Sequence, residues 1–146
     1  MLVVLQFLAV LSAAIFAGAA IYINVAEHPA RMGCDTKTAA TVWAPSYQRA
    51  YFMQASLALL GFISGVAIAS LTGDILWLVA ALFIGAVIPF TFIVIMPTNR
   101  KLLAPGRDLD SAETRGLLVT WGKLHACRSV LSFIALVIYV LLLLKA

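Results

Sequence analysis

The sequence predicts an all-α integral membrane protein, a bundle of four transmembrane helices whose extensions and loops gather on one side. Three observations lead there. Of 146 residues, 64% are hydrophobic and 11% charged, whereas a soluble domain has roughly 45–50% and about 25%. Four uncharged stretches approach or exceed the roughly 20 residues that cross a bilayer core. None shows the two-residue alternation of a membrane β-strand, and lipid excludes open sheets.

The first stretch covers residues 2–26. A cleaved signal peptide would open on a basic segment and carry a shorter apolar core. The start Met1-Leu2-Val3-Val4-Leu5 has neither, which predicts a helix of the mature protein. The second and third stretches are 50–73 and 75–99, and the fourth, 129–144, is shorter. At 1.5 Å per residue it covers only about 24 Å, so Leu124, His125 and Arg128 are drawn to the membrane boundary. The chain then reads as a single membrane domain, 1–146, with spans near 2–26, 50–72, 75–97 and 124–144. Ala13, Ala14, Ala17 and Gly18, with Gly61, Ser64 and Gly65, offer small faces for close helix packing. Pro89 predicts a kink in the third helix, Pro45 suits the first turn of the second, and Asp110 with Glu113 resembles a capping box.

Charge assigns the sides. Arg31, Lys37, Arg49, Arg100, Lys101, Arg107, Arg115, Lys123 and Arg128 share one face, and Lys145 stands alone on the other. That bias predicts a cytoplasmic charged face and both termini outside, in a membrane of the bacterial inner-membrane type. The net charge of +4 is a topology signal here, because no basic run exists to bind nucleic acid. Cys34 and Cys127 lack close-spaced partners, which excludes a disulfide framework and a zinc motif.

Folding four spans brings the unusual polar residues to one end. Asn24, Glu27, His28 and Arg31 fall at i, i+3, i+4 and i+7, one face if the helix survives Pro29. Trp121, His125 and Arg128 share a face of the fourth helix. Trp43, Ser46, Tyr47 and Arg49 open the second helix, and Asn99 closes the third. Glu27 abuts a span, so an ion pair with Arg128 or Arg31 is expected. Taken singly, an arginine or tryptophan at a helix end anchors in headgroups, and a lone histidine makes an interfacial hydrogen bond. The convergence of four helix ends is what points to a site.

His28, His125 and Glu27 invite a metal, iron or zinc, as a two-histidine, one-carboxylate set. Adjacent residues point about 100° apart on a helix, which suits shared ligation poorly. The leading expectation is therefore no metal and no cofactor. No P-loop, dinucleotide-binding glycine motif, HExxH pattern or nucleophile elbow is present.

Three segments resemble the anthrone oxygenase-like family of small four-helix membrane proteins. They are Tyr22-x-Asn24-x-x-Glu27-His28-Pro29-Ala30-Arg31, Pro97-x-Asn99 and Trp121-x-x-x-His125-x-x-Arg128. Most members have no known activity. The resemblance to the characterised ones implies oxidation of anthrones to anthraquinones by O2 without a conventional cofactor.

The residues suit that chemistry. A base near neutrality removes an acidic ring C–H proton, with His125 preferred and His28, Glu27 and Arg128 completing the candidate catalytic set. Arg31, Asn99 and Asn24 supply donors to the anion and substrate, and Trp121, Trp43 and Tyr47 stack on its rings. The partners so implied are the bilayer and a lipophilic aromatic molecule, with a homo-oligomer or larger complex left open. The alternative is a non-catalytic accessory or assembly subunit, in which the polar cluster only fixes the bundle and docks a partner. A carrier fits least, because Gln6, Ser12, Ser64 and Thr72 are all that could line a path through the far half.

Overall fold

The computed structural model describes residues 1–145. Four helical rods run α1 (Leu2–Met32), α2 (Thr36–Thr72), α3 (Ile75–Leu102) and α4 (Ala112–Leu143), each long and apolar enough to cross a membrane. Among the described residues there is no strand. The fold is a four-helix membrane bundle. α1 packs on α2 and α4, and α3 packs on the same two, so the rods form a closed ring in sequence order. Large apolar side chains such as Phe7, Phe52, Ile63, Phe92 and Ile93 remain exposed around it, as lipid permits and water does not.

Local chemistry sets the ends. Asp35 accepts from the Thr38 backbone N–H at 2.9 Å and from its hydroxyl at 2.7 Å. These bonds hold its carboxyl below the usual carboxylate range and start α2. Asp74 caps α3 through Leu76 N–H at 2.9 Å, after Gly73 closes α2 at φ 73°, a conformation that favours glycine. Ser111, rather than Asp110, caps α4 by accepting from Thr114 N–H at 3.1 Å. Pro45 lies well inside α2, which begins at Thr36, so it is not in the first turn.

The first and third rods carry the same device. Ile23–Glu27 and Thr91–Ile95 are π-helical turns, each followed two residues on by a proline, Pro29 and Pro97. A proline ring clashes with the carbonyl four residues back and brings no N–H. The wider turn, in which His28 N–H reaches Ile23 O, relieves that conflict without ending the helix. α1 therefore continues through His28 to Met32. In α3, α-helical geometry runs through Pro89 to Phe90, and the π turn follows directly at Thr91–Ile95.

Two apolar layers fill the bundle. Phe16, Ala58, Trp77, Ile84 and Tyr139 occupy the half near the chain termini. Trp43, Ile95, Leu118 and Trp121 occupy the charged half. Of the small residues, Ala13, Ala17, Gly61, Ser64 and Gly65 are buried, while Gly18 faces outward. At the charged end, guanidinium groups close two rods. Arg115 donates to the Met32 and Cys34 carbonyls at the end of α1, and Arg107 donates to Lys101 O at the end of α3. These three bonds serve carbonyls at the two helix ends.

Candidate functional site

The charged half holds a cavity lined by Glu27, Arg31, Ser46, Tyr47, Gln54, Trp121, His125 and Arg128. α1 contributes from both sides of its π turn. Asn24 and His28 turn to α4, whereas Glu27 and Arg31 turn to Ser46 of α2.

The α4 side is a hydrogen-bonded relay. Asn24 Nδ2 donates to Gly122 O at 3.0 Å, which fixes the amide orientation and leaves Oδ1 as acceptor. Ser129 Oγ donates to that oxygen at 2.6 Å, and His125 Nδ1 lies 2.8 Å from it. An oxygen that only accepts requires the proton on Nδ1, so the lone pair of neutral His125 sits on Nε2. His125 is 1% exposed, and its ring lines the cavity. A buried imidazole with a fixed tautomer and a free lone pair is what a general base needs.

His28 is used differently. Its Nε2 donates to Leu118 O at 3.0 Å, and its ring meets α4 by the Cδ2–Nε2 edge, where a Cβ on Gly122 would come within 2.6 Å of it. The opposite nitrogen, Nδ1, is buried without a partner. Trp121 sits between the two imidazoles, with centroids 5.1 Å from His28 and 4.9 Å from His125.

Of the two ion pairs expected for Glu27, the one with Arg31 forms, and Ser46 Oγ donates to the same carboxylate oxygen at 2.5 Å. Arg128 takes no carboxylate. Its Nη2 donates to Gln54 Oε1 at 2.7 Å, and its Cζ lies 5.4 Å from the Phe16 ring centre. A buried guanidinium held only by an amide and an aromatic face keeps most of its charge for a ligand. The Nε groups of Arg31 and Arg128 are buried without partners.

Trp43 stacks on Tyr47, with centroids 5.1 Å apart and planes 3° apart, and meets Trp121 edge-on at 5.7 Å. Its faces are thus engaged by the protein, while Tyr47 and Trp121 border the cavity. Asn99 is fully buried, and both its side-chain polar atoms lack a hydrogen-bond partner. Among the described residues no group of three or more His, Cys, Asp or Glu side chains could hold a metal ion. Glu27, His28 and His125 thus do not assemble as a ligand set.

Four site residues have no role in the sequence pattern: Gln54, Ser129, Gly122 and Ser46, the last only a residue of the helix start. Gln54 had a usable signal, as an amide inside an uncharged span four and seven residues from Ala50 and Tyr47. Gly122 had none beyond being a glycine in a helix.

Fold and site together define a small four-helix membrane protein with a polar cavity buried at one end. The chain belongs to the anthrone oxygenase family, whose model matches residues 43–138. It is similar to the anthrone oxygenase ptaC of Pestalotiopsis fici, with 42% identity over 69 residues, 41% of this chain and 49% of that protein. The chain thus aligns with about half the length of that curated relative. No solved structure matches it. The matched stretch carries Trp43, Tyr47, Gln54, Asn99, Trp121, His125 and Arg128, whereas Asn24, Glu27, His28 and Arg31 precede it.

Proposed function

We propose that this protein is a membrane-embedded oxygenase that oxidises a lipophilic phenolic compound of the anthrone type with O2. The observation that carries this reading is the Asn24–His125 bond, which leaves His125 Nε2 as a base in a cavity shared with Arg31 and Arg128. Family membership and the similarity to a protein named anthrone oxygenase support it.

In the proposed reaction, His125 Nε2 removes a proton from the ring methylene, and the resulting charge delocalises onto the ring oxygen. Arg128 and Arg31 stabilise that oxyanion. The anion then gives its electrons to O2, a carbon–oxygen bond forms, and the hydroperoxide loses water. One oxygen atom remains as the new carbonyl and the other leaves in water, which carries the two hydrogens lost from carbon.

The cavity measures about 20 Å³, room for one or two waters on a scale where one needs roughly 10–15 Å³. Three fused rings need it to open. A larger outer groove of about 540 Å³, lined by Tyr22, Ala26, Ala30 and Val42, shares Glu27 and Arg31 with the cavity. In this reading the substrate lies in that groove, and rotation of the Glu27–Arg31 pair admits it. The charged end faces the cytoplasm and both termini lie outside, following nine basic residues against one.

The test is oxygen uptake by the purified protein in lipid nanodiscs with a hydroxylated anthrone. Uptake of one O2 for each quinone formed, without hydrogen peroxide, is expected. A rate equal to that of empty nanodiscs across a panel of phenolic substrates would favour the accessory-subunit alternative. Single cysteines introduced near Asp74 and Arg107, in a Cys34- and Cys127-free background, test orientation. Labelling of the Asp74 site from the cytoplasm reverses it.

A further inference from the structure

A second chamber adjoins the cavity, and we infer that it is the oxygen-binding site of the proposed reaction. It is lined by Phe16, Ala55, Ala58, Val87 and Thr91, and shares Tyr51, Gln54 and Arg128 with the His125 cavity. The inference rests on the oxygenase reading and adds where O2 binds and how it arrives.

Size comes first. The chamber measures about 30 Å³, about two water-sized spheres, which suits a diatomic gas and excludes an aromatic ring. Its chemistry comes second. The walls are apolar except along the shared partition and at Thr91, whose Oγ1 is spent on Val87 O at 2.6 Å. Away from the partition the walls offer water no hydrogen bond, as in the apolar voids that take up gases. On the partition, Gln54 Nε2 and Arg128 Nε are buried donors without an acceptor, in residues only 2% and 8% exposed. Neutral O2 does not need them. Once the substrate anion transfers an electron, the reduced oxygen is an anion that accepts from both, and the donors then act where charge develops. The carbon–oxygen bond forms across the partition, and the His125 imidazolium returns its proton to the peroxide oxygen that leaves as water.

Access comes third. Ala55 is exposed and Phe92 is 53% exposed, so the mouth opens on the outer surface between α2 and α3. Phe52, Leu59 and Ile93 are exposed around it, which places the opening in lipid, where an apolar gas dissolves better than in water. Substrate and oxygen thus reach the cavity through different gaps, one on each side of α2.

Two variants block the chamber without touching the base. Ala55→Phe plugs the mouth from the exposed, lipid-facing side, and Ala58→Leu fills the interior. Both should raise the KM for O2 about tenfold, leaving kcat at saturating O2 and anaerobic proton exchange on the substrate unchanged. Xenon, an apolar probe of gas sites, should occupy the chamber in pressurised crystals of the wild type and not of Ala55→Phe. An active wild type whose variants keep the same KM for O2, or whose chamber takes no xenon, overturns the oxygen site and leaves the oxygenase reading standing. A wild type that oxidises no phenolic substrate sinks that reading, and the oxygen site with it, even where xenon still enters.

Discussion

His125 Nδ1 lies 2.8 Å from Asn24 Oδ1, and this bond between α4 and α1 decides which imidazole nitrogen keeps its lone pair. Replacing Asn24 by Leu removes the acceptor and lets either tautomer form. Oxygen uptake with an anthrone substrate should fall by about 10²-fold, as when a base loses its orienting partner. Ser129→Ala removes only the second donor to the same oxygen. It should cost about 1 kcal/mol of stability and leave uptake within about threefold.

The packing of His28 on Gly122 gives a prediction about stability. A Cβ at position 122 would lie 2.6 Å from His28 Cδ2 and Nε2, so Gly122→Ala should push the ring off Leu118 O. Overpacking of this kind costs about 1–3 kcal/mol, read by unfolding in detergent. Adding His28→Ala should recover part of the loss, because the clash disappears with the ring.

The opposite half of the bundle has its own sensitive glycine. A Cβ on Gly65 would come within 2.0 Å of the Tyr139 hydroxyl and 2.8 Å of Ala81 Cβ. That hydroxyl donates to Gly61 O at 2.9 Å. Gly65→Ala should therefore lower the unfolding free energy by about 1–3 kcal/mol. Gly18→Ala, with nothing within 4 Å of the added carbon, should be neutral or slightly stabilising.

Glu27→Gln should leave Arg31, whose side chain is 3% exposed, without its only carboxylate. Breaking a buried pair from one side costs about 3–5 kcal/mol. Glu27 is itself 29% exposed, which reduces the expectation to about 2 kcal/mol. Glu27→Gln combined with Arg31→Met should be more stable than Glu27→Gln alone in the same unfolding assay.

The bundle was legible from the sequence because lipid leaves few options: long uncharged stretches become helices, and charge collects at the ends. The convergence of Glu27, Arg31, Trp121, His125 and Arg128 followed from an even number of crossings. What did not follow was rotation about the rods. The π turn Ile23–Glu27 puts an extra residue into one turn just where Asn24 and His28 part from Glu27 and Arg31, and a face drawn at 3.6 residues per turn cannot show it. Asn24, expected to touch substrate, is committed to Gly122, His125 and Ser129. Arg128 was matched to Glu27 on charge alone, whereas its neighbour is Gln54, an amide in a span whose depth only the packed bundle reveals.

The most direct test of His125 as the base needs no oxygen. Wild-type protein in nanodiscs, incubated anaerobically in deuterium oxide with an anthrone, should speed exchange of the ring methylene protons, and His125→Gln should lower that acceleration by about 10²-fold. Equal exchange by the two proteins, at equal folded fraction, would contradict the account.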